Sequence, residues 1–214
     1  TPMTSMKVLA DSLVGQQGVP EELYQEFLSD ITEEIDRENK IITDLLSLVK
    51  MDKKAADMNI VNMNINELLE NILKRLRPIA DQRSIDLILD SFRPVTADVD
   101  EVKFTLAISN LVENGIKYNV DEGWVRVTLD ADHKYFYVTV ADSGLGIPED
   151  SIERIFERFY RVDKSHSREI GGTGLGLAIT RSSIVMHHGT IKVSSKEGEG
   201  TTFNVKIPLS YIPS

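Results

Sequence analysis

Along the first fifty residues the apolar positions recur at helical spacing. Met3, Met6, Leu9 and Leu13 fall three and four residues apart, which places them on one face of a helix. Gly15 and Gly18 interrupt the pattern, and Pro20-Glu21-Glu22 then reads as a second helix start, with acidic residues at the positive end of the dipole. The apolar face of this second, longer helix runs through Leu23, Phe27, Ile31, Ile35, Ile42, Leu45 and Val49, while Asp30, Glu33, Glu34, Asp36, Arg37 and Lys40 turn outward. A two-helix hairpin of this size exposes too much apolar surface to stand alone. It either pairs with another copy into a four-helix bundle or packs on the rest of the same chain; the seam-like spacing favours pairing.

From Met51 to Asn59 the periodicity lapses, as in a linker, and the pattern that follows mixes periods of two and of three to four. Strands are predicted at 59–63, 84–90, 95–99, 124–129, 135–141, 190–195 and 201–207, and helices at about 67–82, 101–118 and 173–187. The fold expected is α+β. An antiparallel helical hairpin spans 1–52 and a linker 53–58. Residues 59–214 form a two-layer α/β sandwich, a mixed, mostly antiparallel sheet with helices on one face.

Composition narrows the function classes. The chain has 214 residues and no cysteine, which excludes disulfide scaffolds, thiolate zinc sites and thiol enzymes. It carries 24 Lys and Arg against 34 Asp and Glu, a net charge of −10, which argues against a surface that neutralises many nucleic-acid phosphates. A nucleotide pocket needs only a few cations and stays open. No run approaches the ~18–20 consecutive apolar residues of a membrane span, so no direct membrane contact is expected. The chain starts at Thr1-Pro2 without Met and already in helical pattern, the expectation being a fragment of a longer protein.

Three segments carry candidate chemistry. Asn110 and Asn114, four apart, project from one helical face with Lys117 one step further. Amide oxygens suit Mg²⁺ and the lysine suits phosphate, although two such amides can equally be solvated or capping. Asp142-Ser143-Gly144-Leu145-Gly146 follows a predicted strand, where a carboxylate can take a hydrogen bond from a ligand amine, or simply close a turn. Gly171 to Gly176 opens a predicted helix, as a phosphate-binding N-terminus or a hinge; it matches neither the Walker A pattern nor the dinucleotide fingerprint, in which position 177 would be Gly and here is Leu177.

Taken as an ordered set, these segments resemble the sensor histidine kinases of two-component signalling, in the ATPase superfamily that also holds type II topoisomerases, ninety-kilodalton heat-shock chaperones and mismatch-repair ATPases. Asn110–Asn119 is similar to the N box, Asp142–Gly146 to the G1 box, Phe156–Phe159 to the F box and Gly172–Gly176 to the G2 box; Gly200-Thr201-Thr202-Phe203 and Pro208 also fit. The resemblance implies ATP and Mg²⁺ as cofactors. Asn114 would hold the metal and Asn110 would help orient the phosphates or the transferred group. Asp142 would read the adenine amino group with support from Thr201 or Thr202, and Tyr118 would lie beside the base. Lys117, Arg158 and Arg161 would meet phosphate. Gly144, Gly146, Ile147, Gly172, Thr173, Gly174, Leu175 and Gly176 would line the nucleotide. Residues of about 148–172 would form a lid anchored by Phe156 and Phe159.

The same resemblance makes the hairpin a dimerisation and phosphoacceptor module, with a homodimer and a response-regulator receiver domain as partners. It implies a cytoplasmic location, as part of a membrane-bound sensor. Thr1 matches a threonine used when that helix removes phosphate. The acceptor histidine would lie before Thr1, since His133, His166, His187 and His188 do not replace it. Two alternatives remain at this stage: an ATP-hydrolysing clamp, disfavoured because such relatives carry Glu where this chain has Asn110, and a nucleotide-binding dimerisation scaffold without catalysis.

Overall fold

The computed structural model describes Val8, Asp11 and residues 20–53, 58–162 and 172–212. The rest of the predicted first helix, Thr1 and most of the distal lid, including His166, lie outside the described residues. Helix α1 (Glu21–Lys53) begins on Glu21 and Glu22, as its sequence suggests, and runs two residues past the predicted break at Met51. Among the described residues no helix is long and apolar enough to cross a membrane.

Strand β1 (Ile60–Asn64) leads into α2 (Ile65–Gln82), whose cap is Asn64: its Oδ1 accepts from the backbone N–H of Asn66 and Glu67, and its amide donates to the Glu67 carboxylate. Strands β2 (Asp86–Ser91) and β3 (Thr96–Asp100) follow, then α3 (Glu101–Lys117), β4 (Trp124–Ala131), β5 (Tyr135–Asp142), α4 (Gly176–Met186), β6 (Thr190–Lys196) and β7 (Gly200–Pro208). The main sheet has the order β2-β4-β5-β7-β6, with β2 and β4 parallel and every other pair antiparallel. A separate antiparallel pair, β1 with β3, was not foreseen as its own sheet.

Alternation along the strands explains the two layers. On β5, Phe136, Val138 and Val140 are buried, and on β7, Phe203, Val205 and Ile207, while the residues between them are more exposed. These inward positions meet the apolar faces of α2 and α3, including Leu69, Ile72, Phe104, Ile108 and Leu111. The rings of Phe104 and Phe136 pack with centroids 5.8 Å apart, and each such fully buried side chain contributes about 1.5–3 kcal/mol. Helix α4 starts at Gly176 rather than at Thr173, so the glycine-rich segment precedes the helix instead of forming its first turn.

His187, just after α4, is buried, and both ring nitrogens are used. Nδ1 lies 2.7 Å from the Ser183 carbonyl, which can only accept, so this nitrogen carries the proton; Nε2 accepts from Asp100 N–H at 2.9 Å. Burial lowers the imidazole below its ordinary 6.5. The unfolded chain therefore takes up the proton first, and stability is lost as pH falls below that value. Urea denaturation at about pH 7.5 and about pH 5.5 is expected to show a lower midpoint at the acid pH, with a smaller drop in His187→Gln. Equal drops in the two proteins would contradict this assignment.

Candidate functional site

The site is built where the C-terminal half of α3, the end of β5 and the glycine-rich segment before α4 meet. Asn110 and Asn114 are half-buried on one stripe of α3, away from its fully buried face of Ile108, Leu111 and Val112. Asn110 donates its amide to the Gly176 carbonyl at 3.2 Å, tying the asparagine helix to the first residue of α4. At the end of α3, Lys117 lies beside the glycine-rich segment: a Cβ added at Gly172 would sit 2.9 Å from its Nζ. The same nitrogen is 5.4 Å from the centroid of the Tyr118 ring.

Asp142 ends β5 on its inward face, paired with Thr201 of β7 and Val125 of β4. Its Oδ1 accepts from Gly144 N–H at 2.9 Å and Thr201 N–H at 3.1 Å. Burial pushes the carboxyl above the usual carboxylate range, and these two donations oppose the shift without cancelling it. Gly144 must be glycine for a local reason. Leu145 N–H donates to the Tyr118 carbonyl, drawing the loop over the end of α3, and a Cβ at 144 would lie 2.4 Å from that carbonyl oxygen.

Cations gather around Gly172 and the end of α3. Arg161 donates to the Gly172 carbonyl at 2.7 Å, and Arg83 donates to the Lys117 carbonyl at 2.7 Å. Desolvation first, and then the neighbouring charges of Arg161, Lys40 and Arg83, lower the Lys117 ammonium to about 8, with Glu113 pulling the other way. A partly desolvated ammonium crowded by like charges is relieved by an anion. Among the described residues no group of three or more His, Asp or Glu is arranged to hold a metal ion.

Several expected ligand residues take other places. Thr202 pairs with Ala141 and points to the far face of the sheet, so of the two threonines only Thr201 stands beside Asp142. Leu175 is fully buried with Leu48 of α1 and Ile179, serving packing rather than a ligand surface. Thr173 donates its hydroxyl to Asp44 of α1 at 2.8 Å. Ile147 packs on the core. Phe156 packs edge-on against Phe203, whereas Phe159 is 59% exposed among the described residues, with φ of 63° and its N–H bonded to the Gly174 carbonyl. Arg158 is exposed on the same turn.

Two participants were missed from sequence. Asp44 lies on the half-buried stripe of α1 with Ile41 and Leu48, but in the sequence alone it reads as one more of that helix's many acids. Ser195 had a legible signal: it is a polar residue at an inward position of β6, two after Val193, and its hydroxyl contacts Ile147, Gly200 and Thr201.

Comparison with known proteins bears on this geometry. Residues 99–211, which hold Asn110, Asp142, the glycine-rich segment and Thr201, match the family described as histidine kinase-, DNA gyrase B- and HSP90-like ATPase. The chain is 33% identical over 211 residues to the sensor histidine kinase WalK of Bacillus subtilis (strain 168), covering 97% of this chain and 34% of that protein. The solved catalytic domain of histidine kinase ThkA is 28% identical with a TM-score of 0.64, over 72% of this chain and 97% of that one. A ThkA structure in complex with the response regulator TrrA has the same fold, with a TM-score of 0.79 at 24% identity, over 98% of this chain and 58% of that one. The chain spans about a third to a half of the length of the curated relatives it matches. It belongs to the histidine kinase-, DNA gyrase B- and HSP90-like ATPases, and within them to the sensor histidine kinases of two-component signalling.

Proposed function

We propose that this chain is the ATP-binding and phosphotransfer core of its sensor kinase, taking Mg·ATP in the cleft between α3, residues 142–147 and the glycine-rich segment. The observation that carries the reading is Asp142, with one carboxylate oxygen held by two backbone N–H groups and the other left to meet a donor on the ligand. That donor is the adenine amino group, with Tyr118 beside the base. Lys117, Arg161 and Arg158 meet the phosphates, and Asn110 orients them. Asn114 holds the metal together with phosphate oxygens, a donor set of one neutral amide that suits Mg²⁺. When bound, Mg²⁺ neutralises charge that develops on the transferred phosphoryl group. The protein's share of catalysis is positioning and charge compensation.

The phosphoryl acceptor is a histidine outside these residues. In support, the ring nitrogens of His187 are both engaged, and His188 stacks on Tyr211. The partner that receives the phosphoryl group is a response-regulator receiver domain, in line with the ThkA complex. Helices of two copies pair through α1, whose Leu23, Leu28, Ile35, Ile42 and Leu45 are exposed. The hairpin then runs to about residue 52, and residues of about 148–172 cover the nucleotide.

Calorimetric titration with ATP, with and without Mg²⁺, tests the reading. Binding is expected to tighten with Mg²⁺, and Asn114→Ala is expected to lose about tenfold of that gain, the equivalent of one charge-assisted contact. A Mg²⁺ effect identical in the two proteins would remove Asn114 from the site. With γ-labelled ATP the chain alone is expected to give no stoichiometric phosphohistidine.

A further inference from the structure

The hydroxyl of Ser195 makes three contacts, and a single proton assignment satisfies them all. Ile147 N–H donates to Oγ at 2.8 Å, the Gly200 carbonyl lies 2.9 Å away, and Thr201 Oγ1 also lies 2.9 Å away. A serine hydroxyl has one hydrogen and two lone pairs. The carbonyl can only accept, so the serine proton goes to Gly200. Ile147 takes one lone pair, and the third contact is a hydrogen bond only if Thr201 donates to Ser195. The Thr201 hydroxyl thereby has its proton directed away, and it presents lone pairs alone.

Beside it stands Asp142, opposite Thr201 in the β5–β7 register. Asp142 Oδ1 is taken by Gly144 and Thr201 N–H, and Oδ2 has no hydrogen-bond partner among the described residues. The two neighbouring side chains are both acceptors. A ligand group that meets both must carry two N–H bonds, as an exocyclic amino group does, whereas a carbonyl in that place faces only lone pairs.

We propose that Ser195 is a specificity-determining residue, setting the direction of the Thr201 hydroxyl so that the Asp142–Thr201 pair selects a 6-amino purine over a 6-oxo purine. The proposal rests on the reading that a nucleotide base lies against Asp142. Ser195 touches no ligand; it is a positioning residue acting through Thr201. Discrimination of this kind is effective because the wrong base leaves buried polar groups unpaired.

The test measures affinities of the whole chain for ATP and for inosine triphosphate, which has a carbonyl where ATP has the amino group, in the unaltered protein and in Ser195→Ala, Thr201→Val and the double variant. The unaltered protein is expected to prefer ATP. In Ser195→Ala the Thr201 hydroxyl is free to turn its proton toward a 6-oxo group, and the preference is expected to shrink about tenfold. Thr201→Val is expected to shrink it similarly, and adding Ser195→Ala to it to change the preference no further, since the relay has then lost its middle member.

Ser195→Ala also deprives Ile147 N–H and the Gly200 carbonyl of a partner, so both affinities and the melting temperature are expected to fall. A merely structural role lowers both affinities together and leaves their ratio unchanged. An unchanged ratio in Ser195→Ala, or a full further drop on the Thr201→Val background, would overturn the proposal while ATP binding stands. An unaltered protein that binds ATP and inosine triphosphate equally overturns it too. Failure to bind either nucleotide would overturn the nucleotide reading itself, and this proposal with it.

Discussion

Asp142→Asn is expected to weaken ATP binding about 100-fold without lowering the melting temperature. The substitution keeps an oxygen that accepts from Gly144 and Thr201 N–H, so the loop geometry has its partners. The other terminus changes from an acceptor to an NH₂ donor, in a position where the proposed ligand group is itself a donor. Losing a charge-assisted hydrogen bond costs about 1.5–3 kcal/mol, and a mismatched donor adds to it, which corresponds to about two decades in affinity. Stability moves the other way. Burial raises the Asp142 carboxyl, so its ionised form is disfavoured in the folded chain, and a neutral amide relieves that penalty. Calorimetry at about pH 7, together with a melting curve, checks both halves. A loss of less than about threefold would show that Asp142 does not read the ligand.

How far this site can be read from sequence depends on what kind of information each residue needs. Asn110, Asn114 and Lys117 share a face because helical spacing makes them do so, and Asp142 ends its strand because the apolar alternation Phe136, Val138, Val140 stops there. Local pattern suffices for these. The choice between Thr201 and Thr202 was also present in principle: Phe203, Val205 and Ile207 mark the inward phase of β7, and only Thr201 shares it.

Other features were out of reach because they are tertiary. An aromatic residue in a lid reads as an anchor, yet Phe159 adopts a left-handed backbone that turns it outward, while Tyr160 on the same turn packs on the core. Thr173 looks like the first residue of a helix, and becomes instead the link from the glycine-rich segment to Asp44 of α1. Leu175 and Leu48, 127 positions apart, meet only once α1 lies on α4. The docking of α1 joins that helix to the glycine-rich segment and to the helix of Asn110 and Asn114, through one apolar cluster, one hydroxyl–carboxylate bond and the Lys40–Glu113 pair.

The second large effect is expected at Gly146, where alanine should destabilise the domain by about 2–5 kcal/mol. The backbone there has φ of 71°, and an added Cβ would lie 2.1 Å from the Lys196 carbonyl oxygen and 2.9 Å from the Glu197 Cα. Both neighbours are main chain, so no side chain can swing aside. The loop cannot retreat easily either, because Gly198 N–H donates to the Leu145 carbonyl and Ile147 N–H to Ser195, clamping residues 145–147 onto the β6–β7 turn. Gly198 supplies the control. Its φ of 79° is equally unfavourable for alanine, but an added Cβ there meets nothing within 4 Å, so Gly198→Ala carries the backbone term of about 1–2 kcal/mol alone. The difference between the two variants in urea denaturation isolates the steric contact, about 1–3 kcal/mol out of the ~5–15 kcal/mol that holds a domain of this size together. Equal losses at 146 and 198 would mean that the loop yields, and that residues 145–147 are not braced by the β6–β7 turn as the contacts indicate.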